Sequence, residues 1–250
     1  MYDSKTSKIC VVMPTYNNDG TLRDVVERVL QFCNDVIVVN DGCTDTSAEI
    51  LASFGEKITV IDYGKNCGKG YALKKGFEKA LELGFEFAIT IDSDGQHYPE
   101  DIPLFINALE QHTKALIIGS RNLNEENMPG KNTFANKFSN FWFKIQTGVK
   151  LPDTQTGYRL YPLKNLPNLN LLTSRYEAEL ELLVGAAWRG VDLIPIKINV
   201  YYPKAEERVS HFRPFWDFLR ISVLNTFLCI LAVVYGLPSR LIRRARRQHD

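Results

Sequence analysis

The amino-acid sequence predicts an α/β fold built on a doubly wound, mostly parallel sheet. In the first half of the chain, short apolar runs alternate with longer segments whose apolar side chains recur at the helical period. The apolar runs predict strands at residues 9–13, 36–39, 58–61, 87–91 and 116–118. Alternation of strands and helices at this spacing is typical of βαβ units, in which helices cover both faces of a parallel sheet.

The predicted helices of the first half lie at residues 21–32, about 45–54, 71–83 and 99–111. Thr44 or Asp45 is the expected N-cap of the second helix, and Pro99 suits the first turn of the fourth. The second half is less regular. It predicts an aromatic-rich helix at residues 132–147, a helix at 176–188, and a strand at 193–200 whose Pro195 indicates an edge or a bulge.

Polar loops follow the predicted strands. In sheets of this kind, ligands bind beyond the carboxyl ends of the strands, where such loops meet. The chain therefore predicts a nucleotide-type site at that edge. The loops concerned are Thr15-Tyr16-Asn17, Asn40-Asp41, Asp92-Ser93-Asp94 and Gly119-Ser120-Arg121.

Asp92 and Asp94 are the strongest chemical signal. Residues two apart on an extended chain point to the same face, so the two carboxylates are expected side by side. At neutral pH such a pair needs a cation between the groups, or one of them must take up a proton. A hard divalent ion with oxygen ligands, Mg²⁺ or Mn²⁺, is the natural partner, and such ions usually also hold substrate phosphates.

Charge is distributed unevenly along the chain. The net charge of +1 indicates no nucleic-acid partner. Residues 200–250, however, hold nine Lys and Arg against four Asp and Glu, while the remainder has a net charge of −4. Five scattered cysteines fit a reducing cytosol, and the polar residues 1–8 lack the apolar segment of a signal peptide.

Residues 221–239 contain no charged side chain, and an arginine-rich segment follows them. Nineteen such positions are the lower limit for a membrane-spanning helix. Because both flanks are basic, attachment in the plane of the inner leaflet is the leading expectation. A single span, or a buried core or dimer helix, remains an alternative.

Seven short motifs together resemble family-2 glycosyltransferases of GT-A fold, and most of all the dolichyl- or polyprenyl-phosphate sugar synthases. The resemblance covers roughly residues 8–212. The motifs, in chain order, are Pro14-Thr15-Tyr16-Asn17, Asn40-Asp41-Gly42-Cys43-Thr44-Asp45, Asn66-Cys67-Gly68-Lys69-Gly70, Asp92-Ser93-Asp94-Gly95-Gln96-His97, Gly119-Ser120-Arg121, Asp153 with Gly157-Tyr158-Arg159, and Tyr176-Glu177-Ala178-Glu179.

The resemblance implies a UDP- or GDP-linked sugar as donor. Asp92 and Asp94 would hold the metal on its diphosphate, with Gln96 as a further candidate ligand. Asp41 would accept hydrogen bonds from the base or ribose. The remaining donor-binding candidates are Pro14, Thr15, Tyr16 and Asn17 around the base, and Asn66, Gly68 and Lys69 near the phosphates.

The acceptor decides the remaining roles. A lipid phosphate needs no general base, and the resemblance implies that cationic residues gather it; the candidates are Arg121, Lys131, Arg159 and Arg208. A hydroxyl acceptor needs a carboxylate base, for which the candidates are Asp153, Glu177 and Glu179. Either route is expected to be an inverting single displacement.

We therefore expect a GT-A catalytic domain at residues 1–212 and a membrane-associating tail at residues 213–250, attached to the cytoplasmic face through residues 213–247. Homo-oligomers are compatible with the sequence.

Two further interpretations stay open, namely a nucleotidyltransferase that also uses paired acids, and an inactive binding scaffold. The family often has Glu at the position of Asn18 and Asp at that of Asn40, and the segment around Arg208 lacks a glycine that lipid-phosphate members often have.

Overall fold

A computed structural model describes residues 8–121, 130–166, 171–201 and 214–239. A seven-stranded sheet with the order β3-β2-β1-β4-β6-β5-β7 forms its centre. The strands are β1 (Ile9–Thr15), β2 (Val36–Asn40), β3 (Thr59–Asp62), β4 (Phe87–Thr90), β5 (Leu116–Arg121), β6 (Arg159–Pro162) and β7 (Leu193–Ile198). Every neighbouring pair is parallel except the two pairs that involve β6. The predicted doubly wound, mostly parallel sheet is confirmed.

Helices cover both faces of the sheet. They are α1 (Asp19–Val29), α2 (Ser47–Ala52), α3 (Lys69–Glu82), α4 (Ile102–Gln111), α5 (Gly130–Thr147), α6 (Glu177–Trp188) and α7 (Pro214–Leu231), which continues as a π-helical turn at Ala232–Gly236. Alternate strand residues supply two apolar layers. Val12 packs with α3 and α6 on one face, whereas Met13 packs with α1 and α4 on the other.

Strand β1 runs past its predicted end and includes Pro14. Proline has no backbone N–H, so a central strand tolerates it only where no ladder bond is needed. The carbonyl of Thr15 accepts from the N–H of Asp41 on the β2 side, so Pro14 faces β4. The paired residues of β4 end at Thr90, opposite Val12, and Pro14 therefore costs the sheet no bond.

Strand β6 is the antiparallel insertion between β4 and β5. It reverses the chain so that the segment before Arg159 returns beside the end of β4. The hydroxyl of Thr90 donates to the carbonyl oxygen of Gly157 at 2.6 Å. Strand β6 thus brings the loop that contains Asp153 and Gly157 to the carboxyl end of β4.

Gly119, Ser120 and Arg121 lie inside β5, and not in a loop after it as the sequence analysis expected. They pair with β7, whose Pro195 lies at the sheet edge as predicted. Pairing with a neighbouring strand is a non-local property, which explains why the apolar run alone ended the prediction at residue 118.

We predict that Gly119→Ala destabilises the protein by about 1–3 kcal/mol, because the strand has no room for a methyl group. A Cβ at this position would lie 2.7 Å from Cδ1 of Ile198 and 2.9 Å from the carbonyl oxygen of Tyr158. Urea unfolding measures the effect. Gly20→Ala is the matched control, since nothing lies within 4 Å of a Cβ there. Equal stability of the two variants would contradict the packing argument.

Helix α7 packs one face against α5 and α6. Leu224, Leu228 and Ala232 are buried in the same apolar layer as Trp188. A buried polar contact fixes the register, because Nε2 of Gln146 in α5 donates to Oδ1 of Asn225 at 2.9 Å. The division at residues 212 and 213 stays a prediction, and the described part of the tail lies against the catalytic body.

Candidate active site

Asp92 and Asp94 follow β4 directly, in the loop at its carboxyl end. Oδ1 of Asp94 accepts the backbone N–H of Gln96 at 2.9 Å, which closes a tight turn. Between the two acids, the Ser93 side chain turns inward and lies 3.0 Å from the hydroxyl of Thr15. Ser93 thus ties this loop to the end of β1 and leaves the flanking carboxylates on the other side.

The two carboxyl groups differ in acidity. Burial, together with the nearby charge of Asp92, raises the pKa of Asp94 to about 6. Burial also opposes ionisation of Asp92, but the ammonium of Lys69 holds the pKa of Asp92 below its ordinary value. One carboxylate is therefore stabilised in its charged form while the other is poised to bind a proton or a cation.

Lys69 joins the acid pair to a third carboxylate. Its Nζ lies 2.8 Å from Oδ1 of Asp92 and 3.1 Å from Oε2 of Glu179. The side chains are mostly buried, with 16% of Lys69, 24% of Asp92 and 11% of Glu179 exposed. The two carboxylates raise the pKa of Lys69 well above its ordinary value, although burial alone would lower it.

Gly157 lies against the charged ends of these three side chains. A Cβ at Gly157 would lie 2.8 Å from Nζ of Lys69, 2.9 Å from Oδ2 of Asp92 and 3.0 Å from Oε1 of Glu179. A side chain at this position would have to displace the charged ends of these residues, so close approach, and not an unusual backbone angle, favours glycine here.

The residues fit a hard divalent cation. Asp92 and Asp94 offer carboxylate oxygens, and their mutual repulsion, visible in the raised pKa of Asp94, is what a bound cation would relieve. Among the described residues, no group of three or more His, Cys, Asp or Glu is arranged to hold a metal by itself. Further ligands would have to come from elsewhere, such as a substrate diphosphate.

Asp41 holds the glycine-rich loop. Its Oδ1 accepts from the hydroxyl of Tyr63 and the N–H of Cys67, both at 2.7 Å, and its Oδ2 accepts the N–H of Gly68 at 2.8 Å. The side chain is buried. The structure therefore gives Asp41 a defined role in shaping the loop before α3, and its predicted role in nucleotide binding stays a prediction.

The loops after β1 and β2 are joined by side-chain to backbone bonds. Asn17 has a left-handed backbone (φ 51°), its Oδ1 accepts the N–H of Thr44 at 2.8 Å, and its own N–H contacts Sγ of Cys43 at 3.2 Å. Asn18 donates to the hydroxyl of Ser93 at 2.9 Å, which links these loops to the acid pair. Of the other candidates, Thr15 is buried, Tyr16 is half-buried and Asn66 is exposed.

Arg121 and Asp153 form a two-pronged ion pair next to this edge. Nε and Nη2 of Arg121 donate to the two carboxylate oxygens at 2.6 and 3.0 Å. Asp153 is fully buried and also accepts from Nδ2 of Asn136 at 2.6 Å and from the N–H of Gln155 at 3.0 Å. Although burial opposes ionisation, Arg121 keeps the pKa of Asp153 below its ordinary value.

Arg159 is fully buried inside the protein. Its Nη1 donates to the hydroxyl of Tyr161 at 3.1 Å and to the carbonyl oxygen of Glu179 at 2.8 Å, and its Nη2 donates to the carbonyl oxygen of Thr154 at 2.9 Å. The guanidinium thus braces the first turn of α6 and the Asp153 loop. Any influence of Arg159 on a substrate would pass through these groups.

Three candidate residues remain, namely Glu177, Lys131 and Arg208. Glu177 is buried in the first turn of α6, and its Oε2 has no hydrogen-bond partner among the described residues. The Lys131 side chain and all of Arg208 lie outside the described part of the structure. The structure therefore brings Lys69, Asp92, Asp94 and Glu179 together, with the Arg121–Asp153 pair beside them in the sheet.

Comparison with known protein families identifies the chain. The family model described as glycosyl transferase family 2 matches residues 10–163, more than half of the sequence. The chain belongs to glycosyl transferase family 2. The matched segment contains β1 to β6 and both aspartates after β4.

The names of two curated relatives of this family-2 chain contain a phosphorylated polyprenol-type lipid, dolichyl phosphate in one and polyprenol monophosphomannose in the other. The UDP-N-acetylglucosamine–dolichyl-phosphate N-acetylglucosaminyltransferase of Methanococcus voltae is 29% identical over 215 residues, covering 78% of this chain and 86% of the relative. The polyprenol monophosphomannose synthase of Mycolicibacterium smegmatis is 27% identical over 206 residues, covering 78% of this chain and 77% of the relative.

Solved structures show that the family-2 chain has a GT-A-type fold, as predicted. Glucosyl-3-phosphoglycerate synthase from Mycobacterium tuberculosis, crystallised with Mn²⁺, UDP-glucose and phosphoglyceric acid, matches with a TM-score of 0.61 and 17% identity, covering 92% of this chain and 80% of that one. S. aureus TarS matches with a TM-score of 0.57 and 17% identity, and the chain spans 64% of that protein's crystallised length.

Two supporting residues of the family-2 site escaped the sequence analysis. Tyr63, directly after β3, donates to Asp41, and Asn136 in α5 donates to Asp153. Neither residue lies in one of the seven motifs, although the position of Tyr63 at a strand end is a signal that could have found it. His97, the last residue of the acid motif, is buried against the ring of Tyr158, and burial lowers its pKa to about 4.

Proposed function

We propose that this family-2 enzyme transfers a sugar, with inversion, from a nucleotide-diphosphate sugar to a lipid-linked acceptor at the cytoplasmic membrane face, and that the acceptor is a polyprenyl phosphate. The observation that carries the proposal is the pair Asp92 and Asp94 at the carboxyl end of β4 in a chain that belongs to this family. The names of the two curated relatives support the acceptor class, because one contains dolichyl phosphate and the other names polyprenol monophosphomannose as the product.

At the donor end, Asp92 and Asp94 would hold Mg²⁺ or Mn²⁺ on the diphosphate of a UDP- or GDP-linked sugar, with Gln96 as a further candidate ligand. The bound ion would neutralise charge on the leaving nucleoside diphosphate. The proposed base pocket lies between the loops of Thr15, Tyr16 and Asn17 and the loop that Asp41 holds. Bonds from Asn17 to Thr44 make these loops one unit and support this arrangement.

At the acceptor end, the contacts of two of the three candidate bases, Asp153 and Glu179, support a phosphate nucleophile. A hydroxyl acceptor needs a carboxylate free to take a proton. Asp153 already accepts from Arg121, Asn136 and Gln155, and an ammonium lies against Glu179. A lipid phosphate is already an anion, so its oxygen attacks C1 of the sugar while the bond from C1 to the diphosphate breaks, and no proton is transferred.

The second candidate is transfer to a hydroxyl of a glycolipid or glycan. Glu179 favours it, because its Oε1 is buried without a partner among the described residues and lies beside the acid cluster. Membership of family 2 argues against the nucleotidyltransferase interpretation. For a lipid-phosphate acceptor, Arg121, Lys131 and Arg208 are the proposed contacts for the acceptor charge, and Arg159 positions α6.

The outer face of α7 supports membrane attachment. Leu219–Ser239 is the one candidate span among the described residues, with a mean hydropathy of 2.0. One side of this helix packs on the protein, while the opposite side exposes Val223, Phe227, Ile230 and Val233. A helix buried on one side and apolar on the other suits attachment in the plane of the membrane, with the arginine-rich residues 240–247 near anionic headgroups.

We predict that Val223→Asp combined with Val233→Asp lowers binding to vesicles of anionic phospholipid by at least about tenfold, because the apolar face would no longer enter the headgroup region. The two side chains are 63% and 71% exposed. Co-sedimentation measures binding. The control is Leu104→Asp, at an exposed apolar position on α4 (42%). Unchanged binding of the double variant would contradict attachment through this face.

A transfer assay tests the proposed function. The protein is incubated with membranes, Mn²⁺ or Mg²⁺ and a panel of radiolabelled UDP- and GDP-sugars, and lipid is then extracted. Label in the lipid fraction that is lost in Asp94→Ala, and that is released by mild acid as expected of a glycosyl phosphate, supports the proposal. Acid-stable labelled lipid would favour a hydroxyl acceptor. Failure of every donor to bind in the presence of metal would overturn both.

A further inference from the structure

Lys69 lies against Asp92, one of the two carboxylates proposed to hold the metal. Its Nζ is 2.8 Å from Oδ1 and 3.0 Å from Oδ2 of Asp92, so the ammonium faces both oxygens of that carboxylate. The third contact is Oε2 of Glu179 at 3.1 Å. The resemblance to known synthases suggested a phosphate partner for Lys69. In the structure, the partners of Lys69 are the two carboxylates of Asp92 and Glu179.

This ion cluster is built into the fold. Lys69 is the first residue of α3, Asp92 follows β4, and Glu179 lies in the first turn of α6, so three elements converge on one ammonium. A fourth segment also contacts the cluster, because Gly157, just before β6, lies against the charged ends of the three side chains. Side chains that are this buried and this close interact far more strongly than a surface pair.

An ammonium and a divalent cation cannot share the same oxygens without strong repulsion. The protein also offers few alternatives, because no group of three or more His, Cys, Asp or Glu among the described residues is arranged to hold a metal. A metal arriving alone would have to displace Lys69 and would gain few ligands. A metal arriving with a diphosphate would gain phosphate oxygens, and the same diphosphate would offer Lys69 a new anionic partner.

We propose that Lys69 is a positioning residue that aligns Asp92 and excludes the divalent cation until the donor brings its diphosphate. This inference rests on the proposed function, which assigns Asp92 to the metal. It predicts that metal and donor bind together and that the metal alone binds weakly. A purely structural Lys69 would instead affect stability and leave metal affinity unchanged.

The test measures Mn²⁺ binding to the full chain without donor, from the electron paramagnetic resonance signal of free Mn²⁺. Lys69→Met removes the charge and keeps much of the side-chain volume, and we expect it to bind Mn²⁺ at least about tenfold more tightly than the wild type. Glu179→Gln is the matched control. It removes the other anionic partner and leaves Lys69 on Asp92, so it should not tighten Mn²⁺ binding. Adding Asp94→Asn to Lys69→Met should abolish the gain.

A melting measurement covers the case in which Lys69→Met folds poorly. If the metal replaces the ammonium, Mn²⁺ should raise the melting temperature of Lys69→Met more than that of the wild type. Equal or weaker Mn²⁺ affinity in Lys69→Met, together with an equal melting shift, would overturn the inference.

Failure of this inference can be told apart from failure of the proposed function. Suppose that the wild type binds Mn²⁺ in the presence of UDP, and that Lys69→Met and the wild type have the same Mn²⁺ affinity in the absence of UDP. Then only the role of Lys69 is wrong. If no variant binds Mn²⁺ with or without UDP, the metal-dependent donor site is wrong as well. Neither measurement requires sugar transfer to a lipid.

Discussion

Asp94→Asn is expected to abolish sugar transfer and at the same time to make the metal-free protein more stable at pH 7.5. Burial and Asp92 raise the pKa of Asp94 to about 6, against 3.8 for an unperturbed aspartate. The charged form is thus disfavoured in the folded state by up to about 3 kcal/mol. Asparagine removes that charge, and it removes a metal ligand whose loss should lower transfer by about a thousandfold or more.

The pH dependence of the stability gain has a definite sign. Because the folded pKa of Asp94 lies above the unfolded value, its favourable contribution to stability is complete below about pH 4 and is lost as the pH rises through about 6. Asp94→Asn should therefore stabilise the protein at pH 7.5 and have little effect at pH 4. Urea unfolding in the presence of a chelator measures both values.

Asp92→Asn is the matched control for this experiment, with the opposite expected sign. The pKa of Asp92 lies below its ordinary value, so the charged form of Asp92 stabilises the fold above the unfolded pKa. Its amide variant leaves Lys69 without its closest counter-charge and should be less stable at pH 7.5. Destabilisation by Asp94→Asn, or equal stabilisation at both pH values, would contradict the carboxylate-repulsion argument.

Arg121→Ala is expected to lower the free energy of unfolding by about 3–5 kcal/mol, because it leaves the Asp153 carboxylate buried without its cationic partner. Asp153 is fully buried, and the arginine contacts it at 2.6 Å. Urea unfolding at neutral pH measures the loss.

Arg28→Ala provides the surface control. Its partner Glu100 also lies at 2.6 Å, but 48% of the Glu100 side chain is exposed. Loss of an exposed pair should cost less than about 1 kcal/mol. Similar losses in the two variants would show that burial of Asp153 does not determine the effect. If Arg121→Ala lowers sugar transfer by more than the loss of folded protein explains, the result would support the proposed contact with the acceptor.

Local patterns predicted most of the fold. The apolar runs identified the parallel strands, and the helical period identified the helices between them, because burial of a strand or of one helix face imposes its pattern on neighbouring residues. The errors have non-local causes. Pro14 stays inside β1 because the β4 ladder ends early, and Gly119 to Arg121 extend β5 because β7 pairs with them.

The sequence predicted the individual residues of the candidate site, but it did not predict which of them contact each other. The sequence indicated Lys69, Asp92, Glu179, Arg121 and Asp153 as separate candidates with separate roles. The structure brings the first three into one ion cluster and the last two into one buried pair. Such pairings depend on the antiparallel return of β6 and on the start of α6, which residue types and spacing do not specify.

The sequence by itself determined the fold class, the edge of the sheet that holds the site, and the paired aspartates, since periodicity and strand-end chemistry are local properties of the chain. Only the tertiary structure decided which charged side chains contact each other. It showed that Asp41 holds a loop, that Arg159 braces α6, and that an ammonium already lies against Asp92. Contacts between residues up to about a hundred positions apart are set by packing, and electrostatic energies follow those distances.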